Sequence, residues 1–237
     1  MDQLVSTRRR IRRGEALLLA GDAFRSLYAI RTGYFKLRVT AGDGRDQVTG
    51  FQMAGELMGM DGIGTGRHAC DAVALEDSDV CAIPFSRLEE LSHEVQALKR
   101  HFNQAMSREI VRAHEAMLML GSMKSEERLA AFVLDLAERL RARGYSSTEL
   151  VLRMTREEIG SYLGLKLETV SRAFSKFQDG GLIEVNGKHI RIADPAGLRR
   201  MTRMVRTCAG SDESGRPRCP APATLRPGPV PVPAAGK

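Results

Sequence analysis

Three residues in the second half of the chain have types and spacing suited to reading DNA bases. Glu168, Ser171 and Arg172 stand three and four apart, so a helix would bring them onto one face. Arginine can donate to two acceptors of guanine at once, glutamate can accept from a cytosine amino group, and serine adapts to either role. Leu167, at the head of the same segment, and Lys176, one turn beyond Arg172, complete the candidate face. An ordinary solvated helix surface would account for any one of these residues. Their combination near the start of one helix fits base recognition.

The neighbouring sequence supplies the elements needed to position that helix. Thr155 and Glu158 have the T-x-x-E form of a capping box, which predicts a helix start. Ile159, Tyr162 and Leu163 give this helix an apolar stripe, and Gly164 can end it in the left-handed conformation. A second helix is expected from about Leu167, with Val170, Phe174 and Phe177 facing inward and Gly180-Gly181 stopping it. Leu182–Val185 and His189–Ile192 read as strands, with Asn186-Gly187 as the hairpin turn between them. Helix, turn, helix and wing is an arrangement that sets a helix in the major groove of double-stranded DNA.

The 237 residues allow one large domain or two small ones, and the net charge of +7 with a pI near 9.5 suits a polyanionic partner. No apolar run approaches the length of a membrane span, and the N-terminal segment is too charged for a signal peptide. The expectation is a cytoplasmic protein with no membrane partner. Cys70, Cys81, Cys208 and Cys219 show no C-x-x-C pairing, so neither a zinc ribbon nor a disulfide framework is expected.

Arg8, Arg9, Arg10, Arg12 and Arg13 surround Ile11 in a run expected to face solvent, with no site assigned to it. From Gly14 to about Phe85 short β segments alternate with glycine turns. Phe35, Leu37 and Val39 alternate with Lys36 and Arg38 in one half-buried strand, and Asp43-Gly44 is the turn into the next, Gln47–Gln52. Val73–Leu75 and Val80–Ile83 are two more strands, which together imply a sandwich or jelly roll. Such a fold can carry a catalytic metal on clustered histidines, but only His68 lies in this region. No nucleophile elbow, P-loop or zinc-protease motif appears, so an enzyme is not expected.

From Ser86 to Gly144 the pattern is helical. In the long helix, about Val95 to Met119 and its end, Met106, Ile110, Ala113, Met117 and Leu120 follow heptad spacing, which predicts pairing with a second copy of the chain. Ser125 is expected to cap the next helix, whose buried face is Leu129, Phe132, Val133, Leu136 and Leu140. Glu149–Met154 is a short strand. After Asp194-Pro195 order should fade, Arg199, Arg200, Arg203 and Arg206 continuing at most a frayed helix into a disordered proline-rich tail. The expected fold class is therefore α+β. Residues 1–94 form a jelly-roll sensor domain, 95–121 a dimerisation helix, 122–198 a winged helix-turn-helix domain and 199–237 the tail.

The phrases SLYAIRTG, GFQMAGELMG, EERLAAF and LGLKLETVSR together resemble the Crp/Fnr family of bacterial transcription regulators, and within it the FNR branch of oxygen-responsive regulators. The likeness runs from about Leu4 to Leu198. It implies a homodimer, a contact with RNA polymerase for which the Asp43-Gly44 hairpin is a candidate, and an E-x-x-S-R signature (Glu168, Ser171, Arg172) reading a TTGAT half-site. Lys166 stands where the family usually has a capping Ser or Thr. The branch usually holds a [4Fe–4S] cluster on three N-terminal cysteines and a fourth in the roll. Cys81 matches the fourth, and no cysteine precedes Cys70 here. The chain as printed is expected to hold no stable cluster, with [4Fe–4S] binding conditional on a longer native N-terminus. The alternative, a cyclic-nucleotide-responsive regulator, keeps Gly55-Glu56-Leu57 but has His68-Ala69 where the phosphate-binding Arg-Ser pair should be.

Overall fold

A computed structural model describes residues 7–202. Cys208, Cys219, Arg203, Arg206 and the tail, named above, lie outside the described residues. Eight strands build the first part: β1 (Thr7–Ile11), β2 (Ala16–Leu18), β3 (Ser26–Thr32), β4 (Tyr34–Thr40), β5 (Asp46–Met53), β6 (Leu57–Met58), β7 (Asp71–Ala74) and β8 (Ser78–Pro84). They form two antiparallel sheets in the orders β1-β8-β3-β6 and β2-β7-β4-β5, the crossing pattern of a jelly roll. Ile11, Leu17, Ile30, Phe35, Met58 and Val80 fill the space between the sheets.

The arginine run faces solvent as expected, and Arg8, Arg9 and Arg10 also lie in an edge strand paired with β8 and pinned by buried Ile11. Only one apolar residue marks this strand, so alternation could not show it. Val39 is 39% exposed rather than inward, because the β4–β5 register shifts between Leu37 and Arg38 and breaks the period of two. Gly44 does turn the β4–β5 hairpin, with φ of 83°.

Helices α1 (Phe85–Glu94), α2 (Gln96–Ser122) and α3 (Ser125–Arg141) follow. Ser125 is the first helical residue of α3 rather than its cap; Lys124 precedes it, its N–H donating to Glu127 Oε2 at 3.0 Å. The predicted inner face of α3 is buried from Leu129 to Leu136. Strand β9 (Glu149–Val151) is shorter than expected and joins β10 (Ile183–Asn186) and β11 (His189–Ile192) in the order β10-β11-β9. Between them stand α4 (Arg156–Leu163) and α5 (Leu167–Asp179).

Two boundaries need correction. Asn186 pairs with His189, so the hairpin loop is Gly187-Lys188, one residue later than the Asn-Gly signal placed it, with Gly187 at φ 60° in the first loop position. Order also continues past the expected domain end at Leu198. Helix α6 (Pro195–Met201) is capped by Asp194, which accepts from the Gly197 N–H at 2.8 Å, and it buries Leu198 completely.

Candidate nucleic-acid interface

The recognition surface is assembled by local chemistry. Thr155 Oγ1 accepts from the Glu158 N–H at 3.1 Å, while Glu158 accepts from the Thr155 N–H at 2.7 Å, closing the capping box at the head of α4. Gly164, at φ 62°, ends α4 and turns the chain into α5. Val170, Ala173, Phe174 and Phe177 bury one side of α5. Its other side leaves Leu167, Glu168, Ser171 and Arg172 exposed, so the structure brings these four predicted residues together on one open face. Lys166 precedes α5 without any side-chain cap, and its carbonyl accepts from the Thr169 and Val170 N–H groups at 3.0 and 3.1 Å.

The structure gives Lys176 a tie that the sequence did not show, and adds two contributors, Arg156 and Arg128, that it did not mark. The Lys176 ammonium pairs with Glu126 at 2.8 Å and ties α5 to the head of α3. Arg156 stacks its guanidinium over the Phe174 ring, 3.3 Å from the centroid, and burial pushes its pKa down to about 10, which leaves it charged at neutral pH. Arg128 donates to the carbonyls of Leu120, Met123 and Leu163 at 2.9, 2.9 and 3.0 Å, joining the ends of α2 and α4.

Helix α4 also docks on the roll. Lys36 pairs with Glu158 at 2.7 Å, the Val48 N–H donates to Ser161 Oγ at 2.9 Å, and Phe51 meets Tyr162 and Phe132 ring to ring at 5.5 and 5.9 Å. Beside this contact the Glu56 carboxylate receives Arg112, Arg139 and Arg143, and also accepts from the Met53 N–H. Burial alone would raise the pKa of Glu56; Arg139 and Arg112 outweigh it, and the group lies below the usual carboxylate range.

That network bears on the cyclic-nucleotide alternative, since Glu56 already has its partners. At the loop where a phosphate would sit, Asp61 accepts from the Ala69 and Cys70 N–H groups at 2.6 and 3.3 Å and contacts buried His68. A carboxylate therefore occupies the donors that a phosphate would need. Burial and Asp61 push the Cys70 thiol up to about 12, and no group of three or more His, Cys, Asp or Glu that could hold a metal occurs among the described residues. The described donors do not fit a four-thiolate cluster, with Cys81 at the centre of β8 beside Arg8 and Ala29.

On α2 the predicted seam is largely open: Ile110 is 56%, Met117 67% and Leu120 39% exposed, and Ala113 is exposed. Met106 is half-buried. Among the described residues no helix is long and apolar enough to cross a membrane.

A jelly roll, a long helix with an open apolar stripe and a winged helix-turn-helix define a transcription regulator that binds DNA. Residues 8–94 match the cyclic nucleotide-binding domain and residues 127–201 the Crp-like helix-turn-helix domain, and the chain belongs to the Crp/Fnr family. It is 46% identical over 201 residues to the transcriptional regulatory protein Btr of Bordetella pertussis, covering 85% of this chain and 83% of that one. It is 42% identical to the fumarate and nitrate reduction regulatory protein of Escherichia coli K12, covering 88% and 84%. The structure of FixK2 from Bradyrhizobium japonicum superposes with a TM-score of 0.77 at 29% identity, over 85% of this chain and 100% of that one. The chain is thus a DNA-binding regulator of the FNR type, and the relatives so matched are regulators rather than enzymes.

Proposed function

We propose that this regulator binds, as a homodimer, an inverted repeat of TTGAT-like half-sites in oxygen- or redox-linked gene control. The observation that carries the reading is the open α5 face, where Leu167, Glu168, Ser171 and Arg172 stand exposed above a fully buried inner side. Arg172 is assigned to the guanine of the half-site, with Glu168 and Ser171 on its neighbours and Leu167 against a thymine methyl group. Met106, Ile110, Ala113, Met117 and Leu120 form the dimer seam, which spaces the two helices about one DNA turn apart, roughly 34–36 Å. The oxygen- or redox-linked part rests on likeness to the fumarate and nitrate reduction regulatory protein. Selection of bound duplexes from a random pool tests the reading: enrichment of a TTGAT inverted repeat supports it, and enrichment of an unrelated sequence sinks it.

RNA polymerase is the second proposed partner, reached through the β4–β5 hairpin. Arg45 is 85% exposed there, paired with Asp43 at 2.7 Å. Charge reversal at Arg45 should lower promoter output without changing DNA affinity; output and affinity both unchanged would remove the hairpin as the contact. The chain as printed is proposed to hold no iron–sulfur cluster on its described cysteines.

A further inference from the structure

The face of α2 that carries the seam continues toward the start of the helix, but its chemistry changes. Counting back by sevens from Met117 and Ile110 reaches Asn103 and Gln96, and the same step back from Met106 reaches Lys99. The opposite side of this stretch is held by the chain itself. Leu98, Phe102 and Ala105 are half-buried there, and the Phe102 ring meets Phe85 at 6.4 Å. The outward side is open: Gln96, Lys99, Arg100, Asn103, Gln104 and Ser107 are all exposed, and together they line a hollow of about 410 Å³.

All of these residues belong to α2, so the hollow is walled on one side by a single helix. Its charge has one sign. No carboxylate stands between Glu94 and Glu109, and none lines the hollow. Lys99 and Arg100 make no ion pair among the described residues, while Glu90 and Glu109 are taken by Arg87 at 2.9 Å and Arg112 at 2.5 Å. Pairing of two copies along Ile110 and Met117 sets their helix axes about 8–10 Å apart. The two hollows then face each other and close into one. Two cations from each copy come together there, within about a Debye length, roughly 8 Å at physiological salt, where screening of their repulsion is incomplete. A bound anion removes that repulsion. The guanidinium fork of Arg and the point charge of Lys both suit phosphoryl oxygens. Four cations call for more negative charge than one phosphate carries, and small-ligand sites of about 300–1,000 Å³ span the size of such a joined hollow.

We propose that two copies of α2 build one shared site ahead of the apolar seam, where Lys99, Arg100 and Asn103 of both copies bind a compact polyanion of the oligophosphate class. The site rests on the homodimer reading above, and each copy supplies half of it. Since only the dimer completes it, the anion tightens dimerisation by linkage. The same phosphate chemistry is offered by an inorganic chain and by the phosphates of a nucleotide.

The test measures dimer dissociation of the full chain by sedimentation at constant ionic strength, alone, with sodium tripolyphosphate and with ATP. Tripolyphosphate at about ten times its dissociation constant should tighten the parent dimer about tenfold, the linkage expected of a ligand held by the dimer alone. Binding should saturate at one anion per dimer. Equal effects of the two probes assign the phosphate chain by itself, and a larger effect of ATP adds the nucleoside to the ligand. A variant carrying Lys99→Gln and Arg100→Gln should lose the response, yet without ligand it should dimerise at least as tightly as the parent. Damage to the fold would not tighten the dimer. Asn103→Asp, which sets two carboxylates against the anion, should also lose the response and keeps the test valid if the double variant misfolds. Ile110→Glu monomers should bind neither probe. A parent dimer that ignores both probes overturns the proposal and leaves the homodimer standing. So does loosening of such a dimer by Glu89→Gln or Glu94→Gln, which would pair the cations with α1 of the second copy. Monomers that bind tripolyphosphate as tightly as dimers also overturn it. A parent that stays monomeric with and without either probe instead overturns the homodimer reading.

Discussion

Arg139 donates two hydrogen bonds to the Glu56 carboxylate, at 3.1 and 2.7 Å, and so fastens α3 of the DNA-binding part to the turn after β5 in the roll. A third bond from Arg139, to the Phe51 carbonyl at 2.6 Å, holds the end of β5 itself. Glu56 is 6% exposed, so this joint is an ion cluster taken largely out of water. Such clusters add little when intact and cost much when one partner is lost, because the remaining charges stay buried.

Glu56→Gln should therefore destabilise the chain by about 3 kcal/mol, the low end for a broken buried pair because the arginines keep some contact with water. Denaturant melts of both proteins check this. A change below about 0.5 kcal/mol, the scale of ordinary surface substitutions, would contradict it.

The same residue sets a pH dependence. Its folded-state pKa lies below its unfolded value, so its stabilisation is complete above about pH 4.5. It is lost as pH falls through the folded-state value. As pH falls below about 4.5 and on through the folded-state value, the parent should lose its stability advantage over Glu56→Gln. A constant gap across that window argues against the cluster.

Ile110→Glu should yield monomers, since two carboxylates would then face each other across an apolar contact. Ile110 is 56% exposed, so the single chain should tolerate the change. Light scattering reads the outcome, and an unchanged dimer mass would remove the seam as the interface. DNA binding should weaken with dimer loss.

Anaerobic incubation with iron and sulfide should leave the chain as printed without a stable cluster, and cyclic AMP should not raise its melting temperature. The Cys70 thiol is held protonated by burial and Asp61, and the N–H groups a phosphate would use already bind Asp61. About four irons per chain, lost in air together with DNA binding, would prove the first part wrong. A saturable thermal shift with the nucleotide would prove the second part wrong.

The helix-turn-helix was legible because its signals are local: Thr155 and Glu158 are three apart, and Gly164 marks the turn. The Glu56 cluster was not, since Arg112, Arg139 and Arg143 lie 56, 83 and 87 residues away and no period links them. Asp194-Pro195 was read as an end of order, whereas the pair supplies the cap and first residue of α6. The Asn186-Gly187 signal identified the hairpin but misplaced its loop by one residue, because ladder pairing of Asn186 with His189 fixes the register. Exposure of the α2 seam matches its heptad spacing, but Met106 sits partly against the chain itself, which spacing alone cannot show.

The central claim is that α5 reads bases through Arg172, and equilibrium binding of the parent and Arg172→Ala tests it most directly. Each is titrated with a TTGAT inverted repeat and with the same duplex carrying a substitution at the guanine. The parent should prefer the matched site by about 1–3 kcal/mol. Arg172→Ala should bind both equally, at the parent's affinity for the substituted site. A variant that keeps the full preference, or a parent that shows none, would contradict the account.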